Sequence, residues 1–140
     1  MRKIYIILAS LHLFVGIGAI FGGLGVIINP TGESFGITTD ILKRGPFTDF
    51  LIPGLILFTF IGIMDIVVGV FALKNYKYQA YLSGVMGVGL MVFITVQCII
   101  LNDIIYLHII FFILGLIECI FASLLAIKKK NFPINLFIKK

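Results

Sequence analysis

Residues 50–73 read FLIPGLILFTFIGIMDIVVGVFAL, 24 residues in which Asp65 carries the only charge. A helix rises 1.5 Å per residue, so ~20 apolar residues cross the ~30 Å hydrocarbon core of a bilayer. This run is long enough to do so. It shows no alternation of apolar and polar residues, which excludes a membrane-spanning strand. The stretch predicts one transmembrane helix.

Three further runs share its character, at about Ile4–Ile28, Gln79–Leu101 and Ile104–Ile127. The expected fold is all-α: an antiparallel bundle of four transmembrane helices at about 4–28, 50–73, 79–101 and 104–127. A chain of 140 residues is normally one domain, so residues 1–140 read as a single membrane domain. Composition agrees, with 61% hydrophobic residues, 12% charged residues and a mean hydropathy of +1.20. A soluble domain of this size buries only about 60 to 70% of its chain surface and could not hide so much apolar area. Met1-Arg2-Lys3 before an apolar run has the look of a signal peptide. The run is too long for one and ends in no small-x-small cleavage site, so it reads as a retained first helix.

The net charge of +5 does not point to nucleic acid, because the basic residues sit at the ends of the apolar runs. Arg2, Lys3, Lys74, Lys77, Lys128, Lys129, Lys130, Lys139 and Lys140 would share one side, against Lys43 and Arg44 on the other. Nine against two predicts that the richer side, with both termini, is cytoplasmic. The expected location is the cytoplasmic membrane, crossed several times. The tail at 128–140 alternates basic and apolar residues and is expected to lie along the anionic inner leaflet.

The external loop at 29–49 is expected to be structured. It opens with Asn29-Pro-Thr-Gly, a turn signal. Thr39 or Asp40 could cap one short interfacial helix, which Gly45-Pro46 would break. Thr48 and Asp49 stand where they would cap the second helix, with Pro53 in its first turns. Phe35, Ile41, Leu42, Phe47 and Phe50 would anchor the loop over the outer mouth. Helices two and three are joined by Lys74-Asn-Tyr-Lys-Tyr, and three and four by Asn102-Asp103.

Small residues predict where helices meet. Helix one carries Gly16, Gly18, Ala19, Gly22, Gly23 and Gly25; helix three carries Ser83, Gly84, Gly87 and Gly89. In lipid, small residues four apart allow close backbone contact, and Gly18 with Gly22 is the expected example.

Three ionisable residues stand out because charge inside a bilayer is costly and rare. His12 lies eight residues from the inner end of helix one, Asp65 eight from that of helix two, and Glu118 nine from that of helix four. All three fall roughly 12 to 14 Å from the inner boundary. Each shares a helical stripe with small residues: His12 with Ala9, Gly16 and Ala19; Asp65 with Gly62 and Gly69; Glu118 with Gly115 and Ala122. The three are expected to converge in one buried polar layer, with Gly87 of helix three leaving room beside them. Two carboxylates at close range should not both ionise. Such a layer could bind a proton, a cation or a small polar ligand such as a lipid headgroup. These residue types also ligate metals, so His12, Asp65 and Glu118 would be the ligands of any metal bound. No helical Glu-x-x-His or His-x-x-x-His pair supports one. The plain alternative is a hydrogen-bonded network that fixes helix register.

Cys98 and Cys119 lie at depths roughly 15 Å or more apart, beyond the ~7 Å of a disulfide. Gln97 is expected to bond to a neighbouring helix. His108, with Asn102, Asp103 and Tyr106, reads as part of the outer interface, and its depth rules out a haem shared with His12.

The Asn29-Pro-Thr-Gly and Gly45-Pro-Phe-Thr-Asp-Phe-Leu-Ile-Pro-Gly stretches, with Phe112-Ile-Leu-Gly-Leu-Ile-Glu118, resemble a group of small four-helix bacterial membrane proteins. The resemblance implies a bacterial four-helix membrane protein and carries no assigned activity. Two classes of function stay open. One is a binding or transport protein using the polar layer; the other is a structural or accessory subunit, including an immunity-type protein. No nucleophile–base pair marks an enzyme. No cofactor is expected. Membrane lipids, a bound lipid and a second copy or partner membrane protein are the expected partners, and nucleic acid is not.

Overall fold

The computed structural model describes residues 2–33, 46, 48–101 and 106–129. Four helices fill that range: α1 (Arg2–Ile28), α2 (Leu51–Leu73), α3 (Gln79–Leu101) and α4 (Tyr106–Lys129). No strand occurs among the described residues. All four helices are long and apolar enough to cross a membrane. The surface is the reverse of a soluble protein's. Phe14, Phe21, Phe60, Val85 and Ile99 are between 62% and 72% exposed, while His12, Asp65, Gln79, Ser83 and Glu118 are fully buried. Water would not tolerate that arrangement, and lipid requires it. The chain is a multi-pass integral membrane protein.

The bundle is built from two close pairs, α1 with α2 and α3 with α4. Glycine makes each seam. A Cβ on Gly23 would stand 2.8 Å from the Gly54 carbonyl oxygen and the Phe58 nitrogen, and one on Gly16 would stand 2.9 Å from the Gly62 carbonyl. In the other pair, a Cβ on Gly87 would meet the Gly115 carbonyl at 2.8 Å and the Cys119 sulfur at 2.7 Å. These contacts correct two expectations. Gly18 and Gly22 do not make the closest approach; an added Cβ there would meet only the tips of Phe111 and Leu57, at 3.4 Å. Gly87 does not leave room beside the polar residues, because the α4 backbone fills that space.

α2 is not a uniform helix. Leu57–Ile63 is a π-helical stretch between two α-helical ones, Leu51–Ile56 and Met64–Leu73. The Thr59 hydroxyl donates to the Leu55 carbonyl at 2.7 Å. Such back-bonds compete with the regular ladder, and π-turns are its common interruption. The sequence reading had no signal for it.

The turn after α1 follows the expected chemistry. Gly32 takes φ 81°, open to glycine at no steric cost, and its N–H donates to the Asn29 carbonyl. Asn29 Oδ1 accepts from the Thr31 N–H and hydroxyl. The chain then returns against itself: the buried Phe50 donates its N–H to the Pro30 carbonyl at 3.0 Å, and Asp49 Oδ1 accepts from the Leu51 N–H at 3.0 Å. The short helix near Thr39 and Asp40, the anchors Phe35, Ile41, Leu42 and Phe47, the charges Lys43 and Arg44, the Asn102-Asp103 link and the tail beyond Lys129 lie outside the described residues. At the opposite end, Lys129 Nζ donates to the Tyr5 hydroxyl and to the Lys77 carbonyl, both at 3.0 Å. That clasp joins α1, α4 and the α2–α3 link, and marks what is called below the basic end.

Candidate functional site

Each site residue lies on the buried stripe of its helix. In α1 the stripe runs Tyr5, Leu8, Ala9, His12, Val15, Gly16, Ala19 and Gly23, the three-and-four spacing of one face. In α2 it includes Gly62, Asp65, Val68, Gly69 and Ala72. In α4 it is Gly115, Glu118, Ala122 and Leu125. The small residues let the backbones close in, and their polar neighbours are carried inward with them.

His12, Asp65 and Glu118 therefore meet. One ligand atom from each lies within 4.8 Å of the others, and all three side chains are fully buried. His12 Nδ1 stands 2.6 Å from Asp65 Oδ1, a short charge-assisted distance, and 3.4 Å from Glu118 Oε1. The other ring nitrogen, Nε2, lies 2.9 Å from the Ser83 hydroxyl. Ser83 and Gln79 are the members that sequence reasoning missed. Gln79 Nε2 donates to Ser83 Oγ at 2.9 Å and to the Val68 carbonyl at 3.2 Å. All four helices thus contribute to one layer, and its bonds cross from the α1–α2 pair to the α3–α4 pair.

One protonation pattern suits these donors. Gln79 spends both amide hydrogens, on Val68 and Ser83. Ser83 accepts one and has a single hydroxyl hydrogen to give, for which Nε2 is the partner. Nε2 is then an acceptor, and the ring hydrogen sits on Nδ1, facing Asp65. In that state each hydrogen along Val68–Gln79–Ser83–His12–Asp65 has an acceptor. Asp65 Oδ2 and Gln79 Oε1 still lack a hydrogen-bond partner among the described residues, and so do both oxygens of Glu118. Among the described side chains, four buried acceptors stand orphaned and no donor does.

Ser83, His12 and Asp65 are connected as in a nucleophile–base–acid relay. Ser83 Oγ already has two partners and is fully buried, so no substrate carbonyl can approach it. The relay can pass a proton, but it has no acylation site.

Two apolar clusters close the layer above and below. Ile4, Tyr5, Leu8, Ala9, Ala72, Ala80 and Leu125 pack on the basic side, and Val15, Ala19, Ile61, Leu90 and Ile94 on the other. Of the remaining polar residues, Cys119 follows Glu118 directly in α4, and its thiol donates to the Gly84 carbonyl at 3.9 Å. Cys98 and Cys119 are free thiols. His108 lies two residues inside the start of α4, the helix end at which it was expected, and is 7% exposed there. Gln97 is half-buried beside it, facing the cavity described below.

No family model matches the chain, and no curated protein or solved structure matches it either. The fold and the buried His–Asp–Glu cluster are what define it: a four-helix integral membrane protein with an ionisable layer in its core.

Proposed function

We propose that this protein binds a proton in the layer formed by His12, Asp65 and Glu118, and that Glu118 is the residue that takes it. The carrying observation is that both Glu118 oxygens lack a hydrogen-bond partner while Asp65, in the same cluster, has an unpartnered oxygen too. An unpaired carboxylate at bilayer depth costs at least ~2.5 kcal/mol. One added proton turns a Glu118 oxygen from acceptor into donor and gives a neighbouring acceptor its partner. The same chemistry disfavours a transition metal. Zinc and its relatives seek a free imidazole nitrogen, and both nitrogens of His12 are engaged, by Asp65 and Ser83. A lipid headgroup finds no opening between the two apolar clusters.

Infrared difference spectra of the reconstituted protein test the reading. A protonated-carboxyl band at neutral pH, absent in Glu118→Gln, is the expected result. The same preparation should hold no metal ion by native mass spectrometry. A stoichiometric ion lost in His12→Ala would replace the proton by a metal. Absence of both the band and an ion would overturn the binding reading altogether.

One observation favours a second reading. The layer's hydrogen bonds fasten one helix pair to the other, which suits a structural or accessory subunit acting through its outer faces. In both readings the basic end faces the cytoplasm, supported by Arg2, Lys3, Lys74, Lys77, Lys128 and Lys129 gathering there.

A further inference from the structure

The two helix pairs touch closely through the polar layer and then part towards the end where α1 turns into the external loop. Between them lies a cavity of about 420 Å³, inside the ~300–1,000 Å³ range of small-molecule sites. All four helices line it. Gly18, Ala19 and Gly22 of α1 form one wall, and Leu90, Phe93 and Phe111 face them. Gly18 and Gly22 are not among the closest contacts of the α1–α2 seam: an added Cβ would meet Phe111 of α4 from Gly18 and the tip of Leu57 of α2 from Gly22, each at 3.4 Å. Both line the space between the pairs.

The lining is graded along the membrane normal. The deep end, at Ala19, Ile61 and Leu90, is buried and wholly apolar. Gln97 and His108 line the opposite end; Gln97 lies four residues inside the end of α3, and His108 two residues inside the start of α4. On the helix rise these are ~3 to 6 Å below the helix ends, the level at which acyl chains give way to polar groups. From Gln97 to Leu90 the cavity descends ~10 Å, about two-thirds of one leaflet of a ~30 Å core. Phe21, 71% exposed, also lines the cavity, so it reaches the lipid-facing surface. Water is a poor occupant, since a buried water needs two to four polar partners and the deep end offers none.

We propose that this cavity is a lipid site that takes one acyl chain of a bilayer phospholipid, entering past Phe21 from the leaflet at the loop end. The polar rim at Gln97 and His108 meets the ester level and the apolar floor at Leu90 meets the chain. The site is separate from the ionisable layer, one apolar cluster away, and stands or falls independently of proton binding.

Two measurements test it. The detergent-purified protein is titrated with a palmitoyl-oleoyl phosphatidylethanolamine and read by native mass spectrometry. One lipid adduct per chain should survive activation in the wild type and be lost in Gly22→Leu, whose side chain fills the cavity. An equal adduct in the variant, or retention of free palmitate but not of the phospholipid, would overturn the proposal. The wild type is also irradiated with a phosphatidylethanolamine carrying a diazirine midway along one acyl chain. Labels on Leu90, Ile94 or Phe111 are expected. Labels confined to outward residues such as Val85, Val92 and Ile99 would overturn the proposal, whether or not the Leu variant folds.

Discussion

At the scale of single residues, His12 organises the layer because both its nitrogens are engaged, one by each helix pair. Its place in the layer was legible in the sequence, and so were those of Asp65 and Glu118. Ionisable residues in lipid must find partners, and simple counting put all three at one depth. Ser83 and Gln79 were not legible. A serine among glycines reads as one more small packing residue, and a glutamine at a helix start reads as the edge of a span. Only the fold shows the Ser83 hydroxyl 2.9 Å from His12 Nε2, where its hydrogen would hold the ring hydrogen on Nδ1. The consequence can be measured. In nitrogen-15 spectra of histidine-labelled protein, His12 should carry its hydrogen on Nδ1, and Ser83→Ala should shift the Nε2 resonance as that nitrogen loses its donor. The same substitution should cost on the order of 0.6 to 1.7 kcal/mol, the range for hydrogen bonds between helices in membranes. An unmoved Nε2 resonance would place the Ser83 hydrogen elsewhere.

At the scale of elements, glycines fall into kinds that the sequence does not separate. Gly16, Gly18, Gly22 and Gly23 all lie within two turns of α1, and small-residue spacing marks all four alike. Which of them meets a backbone depends on the rotation of α2 against α1, and α2 carries a π-helical stretch that no periodicity announces. Two substitutions distinguish the kinds. Gly23→Val drives a side chain into the Gly54 carbonyl and the Phe58 backbone; overpacking of this sort costs typically 1 to 3 kcal/mol, and here the neighbours are backbone that cannot rotate away. Gly89→Ala meets nothing within 4 Å and removes the ~1 kcal/mol handicap of glycine in a helix. Denaturation in mixed micelles should find the first variant clearly less stable and the second equal to or better than the wild type. Equal losses in both would mean that the α1–α2 seam is not as close as described.

At the scale of the whole molecule, the four spans were legible because length and hydropathy suffice when the solvent is lipid. The division into two pairs was not, since small residues mark which faces meet a helix without saying which helix they meet. Orientation is the property most open to direct measurement. With single cysteines placed at Glu33 and at Lys77 in a background lacking Cys98 and Cys119, an impermeant maleimide added to intact cells should label the first and spare the second. Labelling at Lys77 alone would invert the protein.

The partners in the layer are far apart along the chain, and that bears on how the protein is made. Asp65 follows His12 by 53 residues, and Lys129 follows Tyr5 by 124. At a synthesis rate of ~5 to 20 residues per second, His12 enters the membrane about 3 to 10 s before its carboxylate exists. During that interval α1 is a lone span with an unpaired imidazole. The last helix brings both Glu118 and the lysine that closes the clasp on Tyr5. A ribosome that stalls before α4 emerges leaves three helices whose polar layer lacks Glu118 and whose Tyr5 lacks the Lys129 clasp.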